Sequence, residues 1–487
     1  MKFDKSEQLQ CNTTTIHCKQ FFVTMTILTL TGQTGPKYKA LANRIERAVQ
    51  DGELKAGDRL PTHRQLAEQL GVTVGTVTRA YAEAERRRLI EARVGSGTFI
   101  RGLNPGTGGF KVTDSTVDTG IDLGFSIALE LDQSEQLTRT LARLQHSDVL
   151  PHLLRYQSEF GLEHHREAGR RWLLNTGLGD FGRDDLLVTL GGQHGFYVAL
   201  NALLQPGDGL ACEGLTYPGL VAAATQQNLR LMPLAIDDQG LTPEALEGQC
   251  LRHPPRVVYL MTRMHNPTGG SMSQQRIDEL ALICRQFKIT VIEDDVQGCL
   301  GNPARPSFSL RHPDITVTIA SLSKALCGGL HVGFMRGPAE WVNAIGAAFR
   351  ATCWMAIPLT TEVACDWLNS GYADQLLTRQ QAEIEWRQKA VCERLNRAGF
   401  TPRCGGFNVW LDLPAPWRAV NLVARAAEHR IQLKPAEVFA AGQFAAPQAV
   451  RICIGGRLQR DTLLNAVNTL IELIQTPGNA QDSLTNI

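Results

Sequence analysis

From residue 121 to 475 the chain repeats one pattern: a short apolar or β-branched run, a loop holding Gly or Pro, then a stretch at helical spacing. The runs include "DLLVTL", "GLACEG", "RVVYLM", "ITVIEDD" and "ITVTIA". A strand apolar on both faces must be covered on both, and helices between successive strands supply that cover while leaving the strands parallel. The expectation is an α/β body around a mostly parallel sheet. Ligands of such sheets gather at the carboxyl ends of the strands, so the loops after these runs are where chemistry is to be sought.

At 487 residues the chain is too long for one average domain. With 43% hydrophobic and 20% charged residues it has ample material for a large core, and a net charge of +1 excludes a polycation. Charge is unevenly spread. Between Pro36 and Arg101 stand 13 Lys and Arg against 8 Asp and Glu, a modest basic patch compatible with a polyanionic partner. The 12 cysteines are scattered singly without a CxxC pair, which predicts reduced thiols in a cytoplasmic protein. No metal site is expected. The stretch "FFVTMTILTL" (Phe21–Leu30) is threonine-rich, lacks a small-x-small cleavage pattern and is too short to span a bilayer. Residues 1–35 therefore read as an irregular leader, with translation starting at Met1 or Met25, and no membrane association is expected.

Residues 36–101 form a separate module. "PKYKALANRIERAVQDGEL" sets Tyr38, Leu41, Ile45 and Ala48 on one helical face. In "THRQLAEQLGVTVGTVTRAYAEAERRRLI", Leu66, Ala67 and Leu70 line a short helix and Gly71 makes the turn. Val72 lies behind that turn, and Thr73 caps a second helix with Val77, Ala80, Tyr81 and Ala84 inward. Helix, tight glycine turn and helix is the spacing of a helix-turn-helix. "IEARVGSGTFI" then alternates around Gly95, Ser96 and Gly97, as a two-stranded wing would. Thr73, Gly75, Thr76 and Arg79 face outward at the start of the second helix, small or basic, so that a DNA groove could approach; Arg64 and the wing glycines would meet phosphate. This stretch resembles the winged helix of the GntR superfamily of transcription regulators, through "GDRLPTHRQLAEQLGVTVGTVTRAY" and "GSGTFI". Some members carry an arginine early in the recognition helix, where this chain has Val74 and Gly75, so base contacts do not transfer to those positions. Residues 102–120, rich in Gly, Thr and Asp, read as a flexible linker, and residues 476–487 as a tail.

The loops of the body, residues 121–475, carry one polar residue set in chain order. "GGQHG" opens a helix with Gly192 and Gln193, backbone suited to a phosphate. Tyr217 in "LTYPG" offers an aromatic face, Asn266 in "HNPTGG" an amide, and Asp294 a carboxylate after "ITVIE". Ser321, Ser323 and Lys324 follow "ITVTIA", and Arg451 stands in the late strand "AVRICIGG". Each alone is ordinary; together, at strand ends, they suit one use. A lysine amine forms a Schiff base with an aldehyde cofactor, and pyridoxal 5′-phosphate needs that lysine and an acidic partner for its ring nitrogen. Lys324 is then the Schiff-base residue and Asp294 the ring-nitrogen partner. Asn266 donates to the ring oxygen, Tyr217 covers a ring face, and Gly192, Gln193, Ser321 and Ser323 bind phosphate, while Arg451 takes an effector carboxylate as a fork.

The body resembles fold type I, the aspartate-aminotransferase-like fold, and with the winged helix the whole chain resembles the MocR-like branch of the GntR superfamily. The resemblance implies a head-to-tail homodimer, with Tyr156 in "LLRYQSEFG" reaching the partner's phosphate. Two positions depart from the family. Seven residues after the lysine, where an arginine usually clamps the phosphate, stands His331; a guanidinium is always charged and an imidazole only in part at neutral pH, so weaker cofactor binding is expected. Three residues after Asp294, where relatives place a tyrosine, stands Gln297, whose amide is no acid. Both losses favour a sensor over a turnover enzyme. The expected function is a DNA-binding transcription regulator that senses the cofactor or an amino-compound effector. The alternative is an active aminotransferase carrying a DNA anchor.

Overall fold

The computed structural model describes residues 28, 36–50, 53–55, 57–86, 89–93, 97–100, 120–182 and 185–476. The chain divides into two compact units, Met1–Pro105 and Gly106–Ile487. The expected linker lies outside the described residues except for Gly120, as do the leader except for Leu28 and the tail except for Thr476.

In the N-terminal unit, helices α1 (Lys37–Gln50), α2 (His63–Leu70) and α3 (Val74–Arg86) precede strands β1 (Ile90–Arg93) and β2 (Gly97–Ile100). Leu41, Ile45 and Ala48 of α1 close on Leu66 and Ala67 of α2 and on Val77, Ala80, Tyr81 and Ala84 of α3. Tyr38, Leu70 and Val72, read as inward, stay at the half-buried rim. Leu28, within the stretch read as an irregular leader, is fully buried in the same core. Helix α2 opens on a capping box: Gln65 N donates to Thr62 Oγ1 and Thr62 N to Gln65 Oε1. It closes at Gly71, whose φ of +61° is the left-handed conformation that glycine adopts without a Cβ clash. Thr73 then accepts from the Thr76 amide at 3.2 Å and so caps α3 as read from the sequence. Strands β1 and β2 pair antiparallel with Arg93 opposite Gly97, so Gly97 begins a strand and is not part of the turn. Gly95 and Ser96 lie outside the described residues.

The body holds helix α4 (Glu163–Asn175), strand β3 (Leu186–Thr189), helix α5 (Gly191–Leu203), strand β4 (Gly209–Glu213), helix α6 (Pro218–Gln226) and strands β5 (Arg230–Leu234), β6 (Val257–Leu260), β7 (Thr290–Asp294), β8 (Thr316–Ser321) and β9 (Gly333–Arg336). Helices α7 (Pro358–Asn369) and α8 (Tyr372–Arg397) lead to β10 (Arg403–Gly405), β11 (Asn408–Asp412), β12 (Lys434–Pro435) and β13 (Ala449–Cys453). One sheet runs β3–β9–β8–β7–β6–β4–β5. From β8 to β5 every pairing is parallel, whereas β9 is antiparallel to both β8 and β3. Alternate residues of one strand feed different cores: Val257 and Tyr259 pack into one, Val258 and Leu260 into another. That two-sided burial is why these strands read as unbroken apolar runs. A second, antiparallel sheet, β10–β11–β13–β12, has its own core around Val409, Leu411, Val450 and Ile452.

One expectation about the cysteines fails. Cys392 of α8 and Cys404 of β10 form a disulfide, because the fold returns the strand against the helix that precedes it. Single scattered cysteines carry no sign of such a meeting. The other described cysteines are free, and most are buried.

Candidate functional site

The loops after β3, β4, β6, β7 and β8 meet as the parallel sheet requires. Strands β7 and β8 are neighbours with Asp294 opposite Ile319, so the carboxylate and the Ser321–Lys324 turn leave the sheet side by side. Asp294 keeps a partly open edge, yet enclosure by the strands pushes its carboxyl up to about 7. Its hydrogen bonds come from neutral groups: the Tyr259 hydroxyl donates to Oδ2, and the Val296 amide to Oδ1 at 2.9 Å. Lys324 donates to the Ser126 carbonyl, and burial brings its amine down to about 8. Burial also pushes the Tyr217 phenol up to about 12, which leaves it a neutral ring at the start of α6.

Asn266 and Arg451 are one unit. Arg451 Nη1 donates to Asn266 Oδ1 at 2.7 Å and Nη2 to the Gly124 carbonyl at 2.6 Å, while its guanidinium lies 4.5 Å from the Phe439 ring centroid. Its Nε is buried without a partner. Arg451 was expected at a strand end. It stands mid-strand on β13, opposite Trp410 in the small sheet, and reaches Asn266 from there.

At the start of α5, Gly191 has a φ of +67°, and a Cβ there would lie 3.3 Å from the His331 ring. A Cβ on Gly192 would meet Val296 at 2.7 Å and come within 3.8 Å of Ser321. Leu190, the N-cap, offers the first-turn amides no side-chain acceptor. Ser321 Oγ bonds Ser323 Oγ at 3.0 Å and accepts from the Ser323 amide at 3.2 Å. Gln193 donates instead to the Gly219 carbonyl at 3.1 Å, tying α5 to the loop of Tyr217. His331 is exposed in a left-handed conformation, φ +54°. The neighbouring His194 is held neutral, its imidazole brought down to about 4 by burial and by His331. Tyr156 is 82% exposed and packs at 5.6 Å against Trp354, outside this cluster.

Several members gave no signal in the sequence. Tyr259 lies in "VVYL" and reads as an ordinary core residue, and Ser126 meets Lys324 through its backbone carbonyl. Asn408, wholly buried in β11, donates to Gln297 Oε1 at 3.4 Å; a polar residue inside "GGFNVW" was a legible oddity. Beneath the site Arg263 grips Asp295, donating from Nε at 2.7 Å and from Nη2, with both side chains buried.

In the N-terminal unit, Arg64, Thr73 and Arg79 are exposed along α2 and the start of α3, and Thr76 is half-buried with its hydroxyl 2.9 Å from that of Thr73. Gly97 is half-buried, and a Cβ on it would come within 2.9 Å of the Arg59 guanidinium.

Residues 118–470 match the model of the aminotransferase class I and II family, and residues 37–100 that of bacterial regulatory proteins of the gntR family. The chain belongs to the aminotransferase class I and II family, joined to a gntR-type module. This is the MocR-like arrangement. It is similar over most of its length to an uncharacterized HTH-type transcriptional regulator, YdeF, of Bacillus subtilis, at 28% identity over 86% of this chain and 90% of the relative. The HTH-type transcriptional regulator TauR of Rhodobacter capsulatus is 26% identical over 84% of this chain and 90% of its own. The MocR-like body also has the fold of a kynurenine aminotransferase from Pyrococcus horikoshii, with a TM-score of 0.68 and 21% identity over 75% of this chain and 93% of that one. No helix among the described residues is long and apolar enough to cross a membrane.

Proposed function

We propose that the protein is a DNA-binding transcription regulator whose body binds pyridoxal 5′-phosphate at Lys324 and reads the cofactor or an amine. The observation that carries this is Lys324 itself: a half-buried lysine whose amine is drawn down to about 8, beside a carboxylate with only neutral donors, in one chain with a winged helix-turn-helix. The residues fit the cofactor. The bare glycine backbone at the start of α5, with Ser321 and Ser323 beside it, suits a phosphate. Asp294, raised by burial and hydrogen-bonded only by neutral donors, suits a protonated ring nitrogen. The unpartnered Nε of Arg451 and the unpartnered hydroxyl of Ser126 are buried polar atoms that a ligand would satisfy. Bound there, the cofactor supplies an aldehyde for an amine and an electron-withdrawing ring.

The chain's own groups do the rest. Arg451 holds the Asn266 amide in place and presents a fixed charge to an effector carboxylate. Tyr217 walls the pocket, and Gln297, fixed by Asn408, brings an amide where an acidic hydroxyl would move protons. Tyr156, open to solvent, would serve a partner subunit in a head-to-tail homodimer. Arg64, Thr73, Thr76, Arg79 and Gly97 would meet a double-stranded DNA operator, with Gly95 and Ser96 expected beside them. The relatives named as transcriptional regulators support this reading.

The second reading, an active aminotransferase, is favoured by the retained set of Lys324, Asp294, Asn266 and Arg451. Duplex DNA enriched from a random pool by the full-length protein separates the two. Regulation predicts that cofactor or a candidate amine changes retention of that DNA in the wild type and not in Lys324→Ala, with no amino-group transfer to keto acids. Robust transfer with unchanged DNA retention would favour the enzyme.

A further inference from the structure

No metal ligand is expected from the sequence, yet three side chains converge where two helices of the body meet. His164 and His165 are the second and third residues of α4, and Glu362 lies in the second turn of α7. Both imidazoles point a ring nitrogen at one carboxylate oxygen: His164 Nε2 stands 2.7 Å and His165 Nε2 2.8 Å from Glu362 Oε2. The three ligand atoms all lie within 4.8 Å of one another. Exposure is graded. The side chain of His165 is 1% exposed, that of Glu362 14% and that of His164 46%, so the cluster is rooted in the core and open to water at one corner.

We propose that His164, His165 and Glu362 bind a divalent transition-metal ion, zinc above all, with water completing the shell. Two imidazoles and one carboxylate with an open fourth position make a donor set that zinc takes tetrahedrally. Ligand atoms around such an ion, at bonds of about 2.1 Å, stand roughly 3.4 Å apart. The present contacts are shorter, and torsion of the exposed His164 and of the Glu362 arm gives the needed opening. Two of the three ligands are already in the protonation state an ion needs. Burial lowers the pKa of His165 and keeps its ring neutral. Burial alone would raise the Glu362 carboxyl, but the hydrogen bonds from the two histidines outweigh it and hold the group ionised, down to about 2. The hydrogen bond to Glu362 raises the pKa of His164, so the ion must displace a proton there, and binding weakens on acidification. The positive end of α4 opposes that protonation.

The ion would tie α4 to α7. The segments leading into these two helices carry Tyr156 and Trp354, the exposed aromatic pair, so the bridge fixes the surface on which that pair is displayed. The site shares no residue with the pocket around Lys324, and its test needs neither cofactor nor DNA, so its failure would leave the proposed function standing.

Equilibrium dialysis of the full-length protein against zinc ion, with cobalt(II) as the spectroscopic probe, tests the proposal. One zinc per chain is expected, lost or weakened at least about tenfold in His164→Ala and in Glu362→Gln. Cobalt should give visible bands of a four-coordinate nitrogen and oxygen site without a thiolate band, and zinc should raise the melting temperature of the wild type alone. The exposed position of His164 and the near-isosteric glutamine keep both variants folded. Equal zinc affinity in wild type and variants, thiolate-type cobalt bands, or no zinc uptake by the wild type would overturn it.

Discussion

Lys324 and Asp295 show how burial acts on single groups in opposite ways. With its amine at about 8 instead of the ordinary lysine value, Lys324 loses its proton around pH 8. Only the free amine attacks an aldehyde, so the rate of pyridoxal phosphate uptake should rise with pH and level off above about 8; stopped-flow absorbance checks this, and a rate still climbing toward pH 10 would contradict it. Asp295, one residue beyond Asp294, is buried with Arg263 in a two-pronged pair. Asp295→Asn leaves that guanidinium uncompensated and should cost about 3 kcal/mol of body stability in denaturant titration. The pocket's loop residues were legible because polar groups at the ends of apolar runs stand out. Tyr259 and the Arg263–Asp295 pair were not, since a tyrosine within a strand looks like core, and charged residues in loops look exposed until the fold encloses them.

Helices and strands followed local chemistry wherever that chemistry was strong. Thr62, Gly71 and Thr73 mark the ends of α2 and the start of α3, and their hydrogen bonds are the ones those residue types make best. Removing the cap by Thr62→Ala should cost about 1 kcal/mol, read as roughly fivefold faster hydrogen exchange of the α2 and α3 amides with the body unaffected. The parallel strands were legible through two-sided burial. The direction of β9 was not: "GFMR" is apolar either way round, and only pairing with β8 and β3 makes it antiparallel. The place of Arg451 was missed for a similar reason, because mid-strand residues of a second sheet have no local mark that they face the ligand loops of the first. The disulfide between Cys392 and Cys404 likewise depends on β10 folding back on α8.

The whole molecule joins a gntR-type winged helix-turn-helix to an aminotransferase-like body, each with its own core. That division was visible in the sequence as a change of pattern, helix-turn-helix spacing before residue 101 and repeated strand and helix after residue 120. The departures at Gln297 and His331 were visible too, but what surrounds them was not. Gln297 is anchored by the buried Asn408, and His331 is exposed beside Gly191. On the proposed reading, both leave the lysine intact and replace groups that turnover would use. Covalent capture at Lys324 is therefore the property that decides between regulator and bare scaffold. Full-length protein incubated with pyridoxal 5′-phosphate, reduced with borohydride and digested should yield the Lys324 peptide carrying a reduced pyridoxyl-phosphate group, with no modification in Lys324→Ala. An unmodified Lys324 peptide at saturating cofactor, or the same label on other lysines of the variant, would contradict it.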